Sequence, residues 1–134
     1  MKYPTYQTSF FNHAFADKRI KNDVSFNNTD YAHVATAEKM ILHNLTAPFL
    51  GVEKIASAVN LSPTKLKIIF KSVFGFSMLQ YHKEKNMLLA MQLIKNSGMQ
   101  IKNIAAITGY AGASKFSATF KKRFGVLPTE IRNK

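Results

Sequence analysis

The chain has 134 residues, enough for one ordinary domain or two very small ones, and its 46% hydrophobic content supports a core that must be aliphatic and Phe-rich because Trp is absent. The absence of Cys excludes disulfides, thiolate metal sites and thiol nucleophiles. The net charge of +12 is carried by one part alone: residues 1–53 hold five basic and five acidic side chains, whereas residues 54–134 hold fourteen Lys and Arg against only Glu84 and Glu130.

Residues 1–30 carry Tyr3, Tyr6, Phe10, Phe11, Phe15 and Phe26 without a steady period, and read as a linker or as the remnant of an upstream domain. Asn27-Asn28-Thr29-Asp30 reads as a break, with Asp30 a suitable N-cap for a first helix to about Leu45, stopped by Thr46-Ala47-Pro48. Glu53 to Val59 makes a short second helix. Asn60 falls where the following turn needs a left-handed residue, a conformation Asn tolerates better than most. Ser62 then caps a third helix with Pro63 at its first position, where a lacking N–H costs nothing, and Gly75 ends it after Phe74.

Phe76 to about Asn96 reads as one long helix, free of Pro and Gly, with Leu79, Met87, Ala90, Met91 and Ile94 at helical spacing. Ile101 to Ile107, a turn around Gly109, and Gly112 to Phe124 follow, with a last short helix from Pro128 to Arg132. No strand pattern is present. The expected fold is all-α, with about seven helices in two helix-turn-helix subdomains: lobe one over residues 31–75, a linker helix over 76–97 and lobe two over 98–134.

The two lobes are one pattern written twice. Ile55, Ala56 and Leu61 recur as Ile104, Ala105 and Tyr110 at a shift of 49. Leu66, Phe70, Lys71, Phe74 and Gly75 recur as Phe116, Phe120, Lys121, Phe124 and Gly125 at a shift of 50. Each copy is a short helix, a tight turn and a longer helix with an apolar stripe and basic residues, the outline of a helix-turn-helix. All the excess charge lies on this repeated part. Such a field concentrates polyanions, nucleic acid being the usual partner and an acidic membrane surface the rarer one.

With Leu66, Ile69, Phe70 and Val73 inward on the third helix, Thr64, Lys67, Ile68 and Lys71 face outward. With Phe116, Phe120 and Phe124 inward in the second copy, Ala113, Ser114, Ser117, Ala118 and Lys121 face outward. Residues early in a helix of this kind reach base edges in a major groove, which makes 63–74 and 112–124 the candidate recognition helices. Lys65, Lys71, Lys115, Lys121, Lys122 and Arg123 are candidates for phosphate contact. A linker of 21 residues spans about 31 Å, close to the roughly 34 Å between successive major grooves on one face of B-DNA.

The chain resembles the AraC-type transcription regulators. Leu61-Ser62, Leu66, Phe70-Lys71, Gly75-Phe76-Ser77 and Tyr81 are similar to the first half of that family's DNA-binding domain. Ile104-Ala105, Gly109-Tyr110, Phe116-Ser117, Phe120-Lys121-Lys122, Phe124-Gly125, Pro128 and Arg132 are similar to its second half, so the match covers about residues 34–132. The resemblance implies a two-lobed all-α domain that binds double-stranded promoter DNA and contacts RNA polymerase, usually as an activator, often behind an effector-sensing or dimerising domain. It also implies a C-terminal piece of a larger regulator, monomeric alone and dimeric through the other domain. In that family Arg often stands at the positions of Ile68, Ala118 and Asn86. Their loss shifts readout to Thr64, Lys67, Ser114 and Ser117, with Ile68 and Ala118 against thymine methyls and an A/T-leaning site. Asn86 puts a linker contact in doubt, with Lys83 or Lys85 in its place.

Rival readings fit the residues less well. His13, His33, His43 and His82 show no i, i+3 or i+4 pairing, so no metal site is signalled, and His82 reads as a surface or phosphate-adjacent residue. Glu84 and Glu130 are lone carboxylates rather than an acid–base pair, and Ser62 and Ser114 lack a His–Asp partner. No catalytic residue, metal or cofactor is expected. A module for RNA or non-specific DNA is the alternative, but sequence-specific RNA modules stack exposed aromatics, and here the rings fall on buried stripes. No signal peptide or membrane span is legible, so a cytoplasmic location is expected and a membrane partner is not.

Overall fold

The computed structural model describes residues 26–133, and these contain seven helices and no strand. They are α1 (Asn28–Leu42), α2 (Val52–Val59), α3 (Pro63–Phe74), α4 (Met78–Asn96), α5 (Ile101–Ile107), α6 (Ala113–Phe124) and α7 (Pro128–Arg132). The all-α architecture is as the periodicity predicts. The aromatic segment over residues 1–25 lies outside the described residues. Two compact units divide the chain, one containing residues 26–44 and 49–82, the other residues 45–48 and 83–133. Helix α4 is continuous and contributes its first turn to unit one and the remainder to unit two.

In unit one, Val34, Ala37 and Ile41 of α1, Ile55, Ala56 and Val59 of α2, and Leu66, Ile69, Phe70 and Val73 of α3 are buried together with Met78 and Tyr81. Tyr81 stands edge-on to Phe70, ring centroids 5.3 Å apart at 87°, and its hydroxyl donates to the Glu38 carboxylate. Helix α1 begins earlier than the sequence suggests. Asn27, not Asp30, is the N-cap: its side-chain oxygen accepts from Asp30 N at 2.8 Å, and Asp30 Oδ2 accepts from Asn27 N at 3.1 Å. The apparent break at 27–30 is therefore a capping box and the first turn of the helix.

In unit two, Met87, Ala90 and Ile94 pack with Ile104, Ala105, Phe116 and Phe120. Phe124, expected inside, is only half-buried. Arg132 closes this unit by donating to the carbonyls of Leu93, Ile94, Ser97 and Met99. A guanidinium thereby ties carbonyls of the last turn of α4 to those of the segment that follows it.

Two further expectations for α4 are corrected. It starts at Met78 rather than Phe76, because Ser77 and Gln80 form a reciprocal cap, with Ser77 N donating to Gln80 Oε1 at 3.1 Å and Gln80 N to Ser77 Oγ at 3.2 Å. Leu79 is 45% exposed, although the apolar spacing placed it on the buried stripe. The helix has no single buried seam: Met78 and Tyr81 are buried in unit one, and Met87, Ala90 and Ile94 in unit two.

The repeat holds at the level of single hydrogen bonds. Leu61 N donates to Ala56 O at 3.1 Å, and Tyr110 N to Ala105 O at 2.9 Å. The residue before each is left-handed: Asn60 at φ 59° and Gly109 at φ 93°. Gly75 and Gly125 cap α3 and α6 at φ 80° and 82°, donating to Lys71 O and Lys121 O at 2.9 and 2.7 Å. Phe70–Phe74 and Phe120–Phe124 ring centroids lie 4.6 and 4.7 Å apart. Positive φ carries a steric cost for a residue with a Cβ, so these turns concentrate Gly and Asn.

Candidate nucleic-acid interface

Helix α3 is positioned by strictly local signals. Ser62 Oγ accepts from Lys65 N at 3.1 Å, Pro63 occupies the first turn, and Gly75 ends the helix, as the sequence indicates. Leu66, Ile69, Phe70 and Val73 have no exposed surface, which fixes the helix about its axis. Thr64, Lys67, Ile68 and Lys71 are all exposed, so the predicted outward stripe is outward. An apolar side chain left 40% exposed at Ile68, among four fully buried neighbours, is the odd member of this face.

Helix α6 repeats the arrangement with different chemistry. Its N-cap Gly112 offers no side-chain acceptor, and the helix proper begins at Ala113. Phe116 and Phe120 are fully buried, turning Ser114, Lys115, Ala118 and Lys121 to the outside. Ala113 and Ser117 are half-buried. At a shift of 50 the outward faces match residue by residue: Thr64 with Ser114, Lys65 with Lys115, Lys67 with Ser117, Ile68 with Ala118, Lys71 with Lys121. Each face therefore carries a hydroxyl one turn before an apolar side chain, and a lysine one turn after it. Only the α3 face adds a long cation, Lys67, at its centre.

Two of the expected phosphate contacts are engaged within the protein. Lys65 Nζ lies 3.0 Å from Asp30 Oδ2, with its side chain 35% exposed. Burial pushes the Asp30 carboxyl up, but the Asn27 N–H, the Lys65 ammonium and His33 together hold it below its usual 3.8. Arg123 donates to Glu84 through Nε at 2.6 Å and through Nη2, while its guanidinium lies 4.6 Å above the Phe124 ring. Arg123 is thus a clamp between α6 and α4 inside unit two. Lys71, Lys115, Lys121 and Lys122 are exposed.

Two polar residues of α4 belong to the interior. His82, expected at the surface, is buried, with Nε2 3.2 Å from Asn44 O and its ring 5.7 Å from that of Phe49. Asn86, only 6% exposed, donates to Leu45 O at 2.9 Å and to Thr108 O at 3.2 Å. Neither could have been placed from sequence, because their partners are backbone carbonyls remote in the chain. Asp30 carried a legible signal: Asn27-x-x-Asp30 has the spacing of a capping box. Among the described residues no group of three or more His, Asp or Glu comes together to hold a metal.

A helix-turn-helix domain family model matches residues 55–134. Among solved structures, a transcriptional regulator from Chromobacterium violaceum, described as an AraC-type DNA-binding domain-containing protein, superposes with a TM-score of 0.70 at 26% identity, over 80% of this chain and 95% of that one. The chain belongs to the AraC-type helix-turn-helix family. Within curated AraC-type relatives, it is 38% identical over 69 residues to the transcriptional regulator ExsA of Pseudomonas aeruginosa, covering 52% of this chain and 25% of ExsA. It is 32% identical over 81 residues to VirF of Yersinia enterocolitica, a virulence regulon transcriptional activator, covering 60% of this chain and 30% of VirF. The chain thus spans less than a third of the length of these two relatives.

Proposed function

We propose that the chain is a sequence-specific double-stranded DNA-binding transcription regulator that acts as an activator. Helices α3 and α6 are its reading heads, one in each of two successive major grooves. The supporting observation is the pair of outward faces in matching register, on two helices of equal length, in a chain of the AraC-type family whose whole excess charge lies on the repeated part.

Thr64, Lys67, Ser114 and Ser117 carry the hydrogen-bonding groups for base edges. Ile68 and Ala118 offer methyl groups to thymine, and the site leans toward A/T because no Arg is present on either stripe to take guanine. Lys71, Lys115 and Lys121 hold the backbone, which fixes register and supplies most of the salt-dependent affinity. Binding as a monomer and contact with RNA polymerase complete the proposal.

Fluorescence anisotropy with duplex DNA, duplex RNA and single-stranded DNA of one sequence tests it. Tightest binding to duplex DNA, weakened by about an order of magnitude or more on replacing Lys67 and Lys71 by Ala together, supports the reading. Preference for either RNA or single strands overturns it.

A further inference from the structure

We propose that Asp30 is a brake on the first reading head: it holds Lys65 out of the set of phosphate-binding cations. This rests on the reading of α3 as a DNA-facing helix. Lys65 occupies the third position of α3, beside Thr64 and one turn before Ile68, where an ammonium on a four-carbon stem reaches a phosphate flanking the groove. Its repeat partner, Lys115, is exposed and joins no ion pair among the described residues. The two reading heads therefore differ in one engaged lysine.

The pair is not a loose surface contact. Asp30 is 6% exposed and is itself fixed by the reciprocal cap with Asn27, so it cannot follow Lys65 outward. Lys65 must leave a nearly buried carboxylate to meet a phosphate, and the carboxylate would then keep the Asn27 N–H as its hydrogen-bond donor. Holding the pair is the cheaper arrangement. Asp30 lies in the first turn of α1, three residues from where the preceding chain enters the helix, so an event that unwinds that turn releases Lys65. The brake ties the state of the α1 N-terminus to the strength of DNA contact.

The test is the salt dependence of binding to a duplex of about 30 base pairs, roughly three helical turns. Asp30→Asn keeps an oxygen for the Asn27 N–H and removes the ion pair. One added phosphate contact steepens the slope of log K against log salt by about 0.9, so the affinity lost between about 50 and 200 mM salt grows roughly 3.5-fold. Lys65→Ala alone leaves the slope at the wild-type value, because a restrained lysine contributes nothing to remove. In the Lys65→Ala background, Asp30→Asn no longer steepens it. A steeper slope there would show a general effect of charge, and an unchanged slope in the single Asp30→Asn variant would show no brake. Either result overturns the proposal.

The interface reading is tested separately by Lys67→Ala and Lys71→Ala, at least one of which must flatten the slope by about 0.9. If neither does, the reading of α3 fails. If one does and Asp30→Asn has no effect, only the brake fails. Should Asp30→Asn compromise folding, the Lys65 ammonium is followed by nitrogen NMR in the wild-type protein. The brake requires its resonance to stay at the free position on addition of the duplex while those of Lys67 and Lys71 move; movement of all three refutes it.

Discussion

Replacing Asn86 by Leu separates a structural from a DNA-contacting role for the linker helix. Asn86 Nδ2 donates to Thr108 O, a contact buried from solvent, and to Leu45 O, which is partly buried. Leu has the same number and branching of side-chain heavy atoms, bulkier methyl groups and no donor, so the site stays filled and two carbonyls lose a partner. An orphaned buried acceptor costs about 1–3 kcal/mol, and a partly solvated one takes the lower end of that range because water replaces the amide. The sum is about 2–4 kcal/mol, which for a unit of this size lowers Tm by roughly 10 °C or more. Thermal and urea unfolding followed by far-UV circular dichroism give the stability. DNA binding below the transition gives the second readout, and its salt slope stays unchanged because a buried amide touches no phosphate. A variant of wild-type stability with a flattened salt slope would refute the reasoning and place Asn86 at the DNA.

Phe70→Ala removes a fully buried ring that packs on Phe74 and Tyr81, and is expected to destabilise unit one by about 3–5 kcal/mol in denaturant titrations. Lys67→Ala, by contrast, leaves Tm within about 3 °C, since surface changes are usually worth less than about 0.5 kcal/mol, and weakens duplex binding by about 1–3 kcal/mol in anisotropy titrations. The Asp30 carboxyl titrates below its usual 3.8 in the folded chain, so its contribution is fully present above that pH and is lost as pH falls through the folded value. Acid unfolding monitored by circular dichroism therefore shows a component between the two values that Asp30→Asn removes.

The second lobe's outline and most of the first were legible because their signals are local. Ser62, Pro63, Asn60 and Gly75 each act on backbone within a few residues of themselves, and each occupies the role its chemistry implies. The repeat was legible for the same reason: a left-handed turn and an apolar stripe constrain residue type directly. The outward stripes followed from the buried ones: none of the candidate recognition residues is buried, and Lys65, Ala113 and Ser117 are partly exposed.

What escaped the sequence is long-range. His82, Asn86 and Arg132 are satisfied by backbone carbonyls, which every residue possesses, so no side-chain pattern marks them. The Glu84–Arg123 and Asp30–Lys65 pairs join charges 39 and 35 positions apart, a separation at which no spacing rule pairs them. Leu79 was misplaced because α4 serves two units and has no single buried face.

Selection of bound duplexes from a random pool by the chain, at one fixed salt concentration, bears most directly on the two proposed reading heads. Two short conserved boxes, centred about one helical turn apart and rich in A/T, are the expected outcome. Enrichment of a single box, or of no sequence at all, would contradict the account.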